Sequence, residues 1–120
     1  MRTTPPLHFG RLLTATAPPG SETFEPILEE KEFRLERIVT PMEMDLPGPW
    51  YDQPHDEWAL VVQGCAVLEF DGGLCRALSA GDYIHLPAHC LHRVVKTDPR
   101  EPVVWLALHW TRLSTSDGER

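Results

Sequence analysis

Prolines interrupt this chain so often that long helices have little room to form. Twelve of the 120 residues are prolines, and a proline inside a helix removes a backbone hydrogen bond and clashes with the preceding turn. Helical bundles and coiled coils are therefore poor candidates for the fold. The length suits one domain with a packed core and leaves no room for a second.

The second half of the sequence predicts a series of short strands. Apolar runs rich in valine and leucine alternate with turn signals, of which Asp71-Gly72-Gly73 is the clearest. Two more turns are predicted at Gly81-Asp82 and Asp98-Pro99, so that strands recur at intervals of about eight to twelve residues. This spacing is typical of an antiparallel sandwich or barrel.

The first half is less regular. Residues 1–20 contain four prolines and predict an extended arm that packs across another surface. Residues 21–30 carry apolar side chains three to four positions apart, which predicts one helical turn. Residues 33–40 alternate and then shift phase, which predicts a strand with a bulge. Residues 41–54 contain four more prolines and are predicted to form a loop or an irregular edge.

Charge and cysteine content narrow the functional classes. Eighteen acidic residues against eleven basic ones give a net charge of −7, which argues against nucleic-acid binding because that requires clustered Lys and Arg.

The start does not resemble a secretory signal, and no apolar run is long enough to span a membrane. Cys65, Cys75 and Cys90 include no C-x-x-C pair, and the predicted hairpin places Cys75 beside Glu69, away from Cys65. We therefore expect a reduced, cytoplasmic protein.

Two segments concentrate side chains that bind metals or transfer protons, and both resemble a known family. Glu57 is followed after six residues by Gly64, in EWALVVQG, which is similar to the second half of the first cupin motif. Gly81, Pro87 and His92, in GDYIHLPAHCLH, are similar to the second motif. The distance between the two segments also resembles that in a small single-domain cupin, and the resemblance covers about half of the chain.

The resemblance implies an all-β, single-domain, antiparallel jelly-roll barrel with a ligand pocket in its mouth. On this interpretation residues 49–113 form the barrel core, residues 1–48 form an arm and first strands that pack on the barrel, and residues 114–120 fray. Cupins of this size are often homodimers, so the resemblance also implies a homodimer.

Typical cupins hold a divalent metal with two histidines and a glutamate of the first motif and one histidine of the second. By resemblance, Glu57 takes the glutamate position and His92 that of the second-motif histidine. The two first-motif histidine positions fall on Tyr51 and Gln53, and neither is a histidine. This departure is the main feature of the site.

Four arrangements remain open for the site. The Gln53 oxygen completes a weak metal site with Glu57 and His92, or His55 turns inward to form a two-histidine, one-carboxylate face with them. Tyr51 acts as a third ligand or as a general acid, with His55 as another candidate proton-transfer group. In the fourth arrangement no metal binds, and the same side chains hydrogen-bond a ligand or one another.

The sequence thus predicts a small-molecule pocket around Glu57 and His92 and leaves open whether the protein is an enzyme. A catalytic version would use Fe, Mn, Ni or Zn for oxygenase, isomerase or lyase chemistry. The alternatives are a metal-free binding or sensory barrel and a structural dimer with a vestigial pocket. Among the other histidines, His85 is predicted to face outward and His89 to occupy a turn, whereas the sequence does not decide which side His109 faces.

Overall fold

The computed structural model describes residues 3–14 and 16–112. Its regular elements are eight strands: β1 (Thr23–Glu29), β2 (Phe33–Thr40), β3 (Asp56–Gln63), β4 (Cys65–Phe70), β5 (Cys75–Ser79), β6 (Tyr83–Leu86), β7 (His92–Lys96) and β8 (Val103–Trp110). Within these ranges no helix is long and apolar enough to cross a bilayer. The tail predicted to fray, residues 114–120, lies outside the described part of the chain.

The strands form two sheets. One sheet has the order β1-β2-β8-β3-β6 and the other the order β5-β4-β7. Each strand pairs antiparallel with its neighbours. This arrangement agrees with the predicted all-β, antiparallel fold. The β3–β8 pairing sets Glu57 opposite His109, and the β4–β7 pairing sets Phe70 opposite His92.

The hydrophobic core consists of inward-facing side chains from both sheets. In β3, Ala59 and Val61 are buried whereas Trp58 and Leu60 are partly exposed, as the two-residue period of a strand requires. The core is composed of Ile38, Ala59, Val61, Ala66, Leu68, Leu78, Val94, Val103, Trp105 and Ala107. Polar residues at one end of the same inward rows are therefore carried into the interior.

The predicted helical turn in residues 21–30 is wrong, because these residues form β1. That strand pairs with β2 from Thr23 to Glu29. It is an edge strand, and an edge position tolerates Pro26 because one side of the strand forms no ladder. The predicted bulge is also misplaced: the register shift lies between Pro26 and Leu28, so the extra residue belongs to β1 and not to β2.

The turns follow the sequence signals closely. Cys75 pairs opposite Glu69 across the predicted hairpin, and all three cysteines are free. Gly64 has a φ of +85°, and a Cβ there would lie 3.2 Å from the Cα of Val103. Only glycine fits such a position without strain. His89 has a φ of 64°, which agrees with its predicted place in a turn.

The end of the N-terminal arm is attached to the larger sheet. Arg37 on β2 donates hydrogen bonds from Nη1 to the carbonyl oxygens of Arg11, at 2.8 Å, and Leu12, at 3.1 Å. Further out, Leu7 and Phe9 are 70% and 91% exposed. The arm therefore packs on its own domain at one end only.

Candidate functional site

A cavity of about 60 Å³ lies between the two sheets. This is room for about four to six water-sized groups. Carboxylates, histidines and a tyrosine line it together with apolar core residues: Glu22, Phe24, Glu36, Ile38, Tyr51, Gln53, Glu57, Ala59, Leu68, Ile84, Leu86, His92, Val94, Trp105 and His109. A cavity of this size and mixed polarity limits a ligand to a few non-hydrogen atoms.

Glu57 is the second residue of β3, where the strand period turns its side chain inward. It is 5% exposed, and its Oε1 accepts a hydrogen bond of 2.7 Å from Nε2 of Gln53. No hydrogen bond or ion pair joins its Oε2 to another described residue. A buried carboxylate normally has a cationic partner or several donors, and Glu57 has one neutral donor.

His92 begins β7 on the opposite sheet and is 7% exposed. Its Nδ1 lies 2.9 Å from the carbonyl oxygen of Cys90. Because a carbonyl only accepts, Nδ1 carries the proton and donates. In the neutral ring Nε2 then bears a lone pair, and the described residues offer it no hydrogen-bond partner.

Tyr51 connects the cavity to a residue of the N-terminal segment. Its hydroxyl donates to Oε1 of Glu22 at 2.8 Å, and Thr40 donates to Oε2 of the same carboxylate at 2.6 Å. Trp105 Nε1 donates in turn to the Thr40 hydroxyl at 2.9 Å. Burial raises the pKa of Glu22, although the hydrogen bonds from Thr40 and Tyr51 oppose it. Burial and the neighbouring Glu22 also raise the pKa of Tyr51, so Tyr51 is a neutral donor.

A second polar chain links Gln53 through His55 and His109 to Glu36. Nε2 of His55 lies 3.1 Å from Oε1 of Gln53 and 3.0 Å from Nδ1 of His109, and Nε2 of His109 lies 2.7 Å from Oε2 of Glu36. Burial alone would raise the pKa of Glu36, but the hydrogen bond and charge of His109, together with Arg34, hold it below its usual value. Burial, with the charges of His109 and Arg34, lowers the pKa of His55.

Four of the residues singled out in the sequence line the cavity: Tyr51, Gln53, Glu57 and His92. His55 does not. It borders a separate cleft of about 170 Å³, which lies on the other side of His109 from the cavity. His109 faces inward and borders both spaces.

Two residues of the cavity wall were missed in the sequence. Glu22 lies before β1 in a segment without any motif, and Glu36 lies on β2 between two arginines. The one signal for an inward-facing Glu36 was the two-residue period of the strand, because Glu36 shares its strand face with the core residue Ile38.

The outward-facing prediction for His85 agrees with the structure. His85 is exposed on the outer face of β6, where it hydrogen-bonds Asp56 at 2.8 Å and stacks on Trp110. Trp50, in the loop before β3, is covered by the guanidinium of Arg93, 4.2 Å from the ring centroid. Neither His85 nor Trp50 lines the cavity.

The donor set does not fit a metal held by three protein ligands. Within the described ranges, no group of three His, Cys, Asp or Glu residues is placed to hold a metal ion. Gln53 turns its amide nitrogen toward Glu57 and its oxygen toward His55, so that oxygen is not directed to a shared centre with Glu57. The metal set predicted from the sequence (Gln53, His55, Glu57 and His92) stays a prediction.

Comparison with known proteins agrees with this fold. The cupin domain family matches residues 41–109, more than half of the chain. The chain therefore belongs to the cupin family. No curated protein matches it significantly.

Among solved structures, a Ralstonia eutropha protein named as a candidate mannose-6-phosphate isomerase is 45% identical, with a TM-score of 0.71, and the match covers 89% of this chain and all of that one. TT1209 from Thermus thermophilus is 17% identical, with a TM-score of 0.67 and the same coverage. HppE in its Fe(II) form is 11% identical, with a TM-score of 0.63, over 74% of this chain and 50% of that chain. The last two likenesses are of fold alone.

Proposed function

We propose that this cupin binds a small molecule in the cavity through Tyr51, Glu57 and His92 without a resident metal. The position of Gln53 is the main support, because its amide nitrogen is bonded to Glu57 and its oxygen faces His55. A metal site completed by Gln53 or His55 would require Gln53 to reverse its amide or His55 to leave His109, and one completed by Tyr51 would require the Tyr51 hydroxyl to leave Glu22. Each of these movements breaks hydrogen bonds that the present arrangement satisfies.

The same side chains are suited to proton transfer on a bound molecule. Imidazole is the group most often used to move protons at neutral pH, and a carboxylate is the next. Nε2 of His92 and Oε2 of Glu57 are available for this role in the cavity, since neither has a hydrogen-bond partner among the described residues. A catalytic version of the proposal assigns His92 as the general base or acid and Glu57 as the group that orients the ligand.

A ligand screen with and without a chelator tests this proposal. Protein purified without a metal-binding tag is screened by thermal shift against a library of small polar fragments, with and without EDTA. We expect stabilising fragments whose effect does not depend on EDTA and is lost in Glu57→Gln. Glu43→Gln is the matched control, because Glu43 is exposed and its loss changes the net charge equally. Fragments that bind only when a divalent metal is present would contradict the proposal.

The name of the Ralstonia eutropha relative suggests a sugar-phosphate isomerase as a second candidate. The cavity argues against this substrate, because no Lys or Arg is among the described residues that line it, and a phosphoryl group needs such cations. We expect no isomerisation of mannose 6-phosphate by the purified protein. Turnover that Glu57→Gln abolishes would overturn this expectation.

We also propose that the chain forms a homodimer through its N-terminal region. Strand β1 is a sheet edge with apolar side chains that are about half exposed: Phe24, Ile27 and Leu28. The nearby arm exposes Leu7 and Phe9 even more. An open edge beside apolar surface suits self-association. Light scattering after size exclusion is expected to give twice the chain mass, and a monomer at micromolar concentration would contradict the proposal.

A further inference from the structure

The three carboxylates that line the cavity differ in how their charge is balanced. Glu36 has a cationic neighbour, with Nε of Arg34 3.4 Å from its Oε1 and His109 on its Oε2. Glu22 receives one hydroxyl hydrogen bond on each oxygen. Glu57 receives one amide hydrogen bond and is 5% exposed. Within the described chain, Glu57 is thus a buried carboxylate without a cation beside it, an arrangement that is unfavourable until a partner binds.

Hydrogen-bonding capacity in the cavity is also one-sided. Tyr51 uses its only hydrogen on Glu22, so its oxygen can only accept from a ligand. His92 uses its Nδ1 hydrogen on Cys90, so in its neutral form the ring can only accept at Nε2. Oε2 of Glu57 is a third acceptor. Three acceptor atoms to which no described residue donates a hydrogen bond therefore border one cavity.

We propose that the ligand of this cavity carries a primary ammonium group that lies against Glu57, His92 and Tyr51. A primary ammonium has three N–H donors and one positive charge, which match the three acceptors and the unbalanced carboxylate. The proposal rests on the proposed function, since it names the class of molecule that the pocket binds.

Other ligand classes match the cavity less well. An anion would be repelled by Glu57 and would find no Lys or Arg among the described lining residues. A neutral alcohol supplies one donor per hydroxyl group and leaves the charge of Glu57 unbalanced. A divalent metal is also positively charged, but no group of three His, Cys, Asp or Glu among the described residues is placed to hold it. Aromatic rings in the wall, Tyr51 and Trp105, offer further favourable contact to an organic cation.

The test compares three small molecules of similar size: ethanolamine, ethylene glycol and glycolate. Each is titrated into the full-length, ¹⁵N-labelled protein with EDTA present, and binding is followed by amide chemical shifts of residues around the cavity. We expect ethanolamine to bind about tenfold or more tightly than ethylene glycol, and glycolate not to bind. The ethanolamine preference should disappear in Glu57→Gln and persist in Glu43→Gln. The comparison of ligands on the unmodified protein stands even if Glu57→Gln does not fold.

The outcomes separate this inference from the proposed function. Ethylene glycol or glycolate binding as tightly as ethanolamine would overturn the ammonium inference and leave the metal-free pocket standing. Binding of Zn²⁺ or Mn²⁺ at Glu57 and His92 in EDTA-free buffer, with no binding of ethanolamine, would overturn both. Failure of all three molecules and of both metals to shift any cavity resonance would also overturn both.

Discussion

Two neighbouring carboxylates at the start of β3, Asp56 and Glu57, have opposite surroundings. Asp56 faces outward but is covered completely, and it accepts hydrogen bonds from Arg112, His85 and the backbone nitrogen of Ala88. The bonds from Arg112 contribute most, and they hold the pKa of Asp56 down at about 2. Glu57 faces the cavity and has a single neutral donor, Gln53.

This difference separates a structural carboxylate from a ligand-binding one. Asp56 is buried because the fold supplies its partners: Arg112 follows β8, His85 lies on β6, and Ala88 follows β6. Glu57 is buried without such partners, so its burial does not stabilise the fold. A bound ligand that completes the interactions of Glu57 would offset the cost of burying it.

The largest expected effect is on ligand binding by Glu57→Gln. The change keeps the shape of the side chain and removes its charge, so we expect affinity for an ammonium ligand to fall about tenfold or more, while Asp56→Asn, if folded, should keep it. Titration of both variants with ethanolamine, followed by chemical shifts, measures this. Equal losses in the two variants would remove the distinction between the two carboxylates.

Asp56→Asn is expected to lower stability. The amide cannot accept from Arg112, His85 and Ala88 as a carboxylate does, and we expect a loss of about 1–3 kcal/mol in the free energy of unfolding. Urea unfolding followed by fluorescence provides the measurement. The matched control is Asp52→Asn, because Asp52 is an exposed carboxylate paired with the exposed His89. If the two variants were equally stable, Asp56 would not be a structural residue.

Tyr51→Phe should have a smaller effect, of about 1 kcal/mol. The change removes the hydrogen bond to Glu22 and leaves one oxygen of that carboxylate without its donor. The control is Tyr83→Phe, because Tyr83 is 65% exposed and its hydroxyl makes no hydrogen bond to another described residue. Urea unfolding of the pair gives the difference, and a stability loss as large in Tyr83→Phe would contradict the role given to Tyr51.

The last prediction concerns acid sensitivity. The pKa of Asp56 is lower in the folded chain, at about 2, than its ordinary value of 3.8. Its contribution is therefore complete above about pH 4 and is lost as the pH falls toward 2. Between pH 4 and 2 the unmodified protein should lose more stability than Asp56→Asn, because all other groups are shared. Parallel stability curves for the two proteins over this range would contradict the assignment.

Much of the fold and part of the site were predictable from the sequence. Gly64 and His92 are local signals, since a glycine turn and the motif spacing place them without knowledge of distant contacts. Period-two alternation also assigned His85 to the outside correctly. Residues 21–30 failed because helical spacing of three apolar residues was given more weight than Pro26, and pairing with β2 decided the outcome.

The rest of the site depends on contacts between distant parts of the chain. Glu22 reaches the cavity only because Tyr51 and Thr40 hold it there. The orientation of Gln53 follows from His55, which in turn depends on His109, 54 positions later. The full partner set of Asp56 requires Arg112 at the far end of the chain. No local pattern encodes these contacts. The sequence therefore identified Glu57 and His92 as site residues but did not predict the hydrogen-bond and charge partners of either side chain.

Thermal unfolding of Asp56→Asn and Glu57→Gln beside the unmodified protein, without ligand at pH 7, tests the central claim most directly. If Asp56 is structural and Glu57 is retained for a ligand, the melting temperature falls in Asp56→Asn and stays level or rises in Glu57→Gln. A fall in Glu57→Gln as large as that in Asp56→Asn would show that both carboxylates stabilise the fold, and would contradict the account.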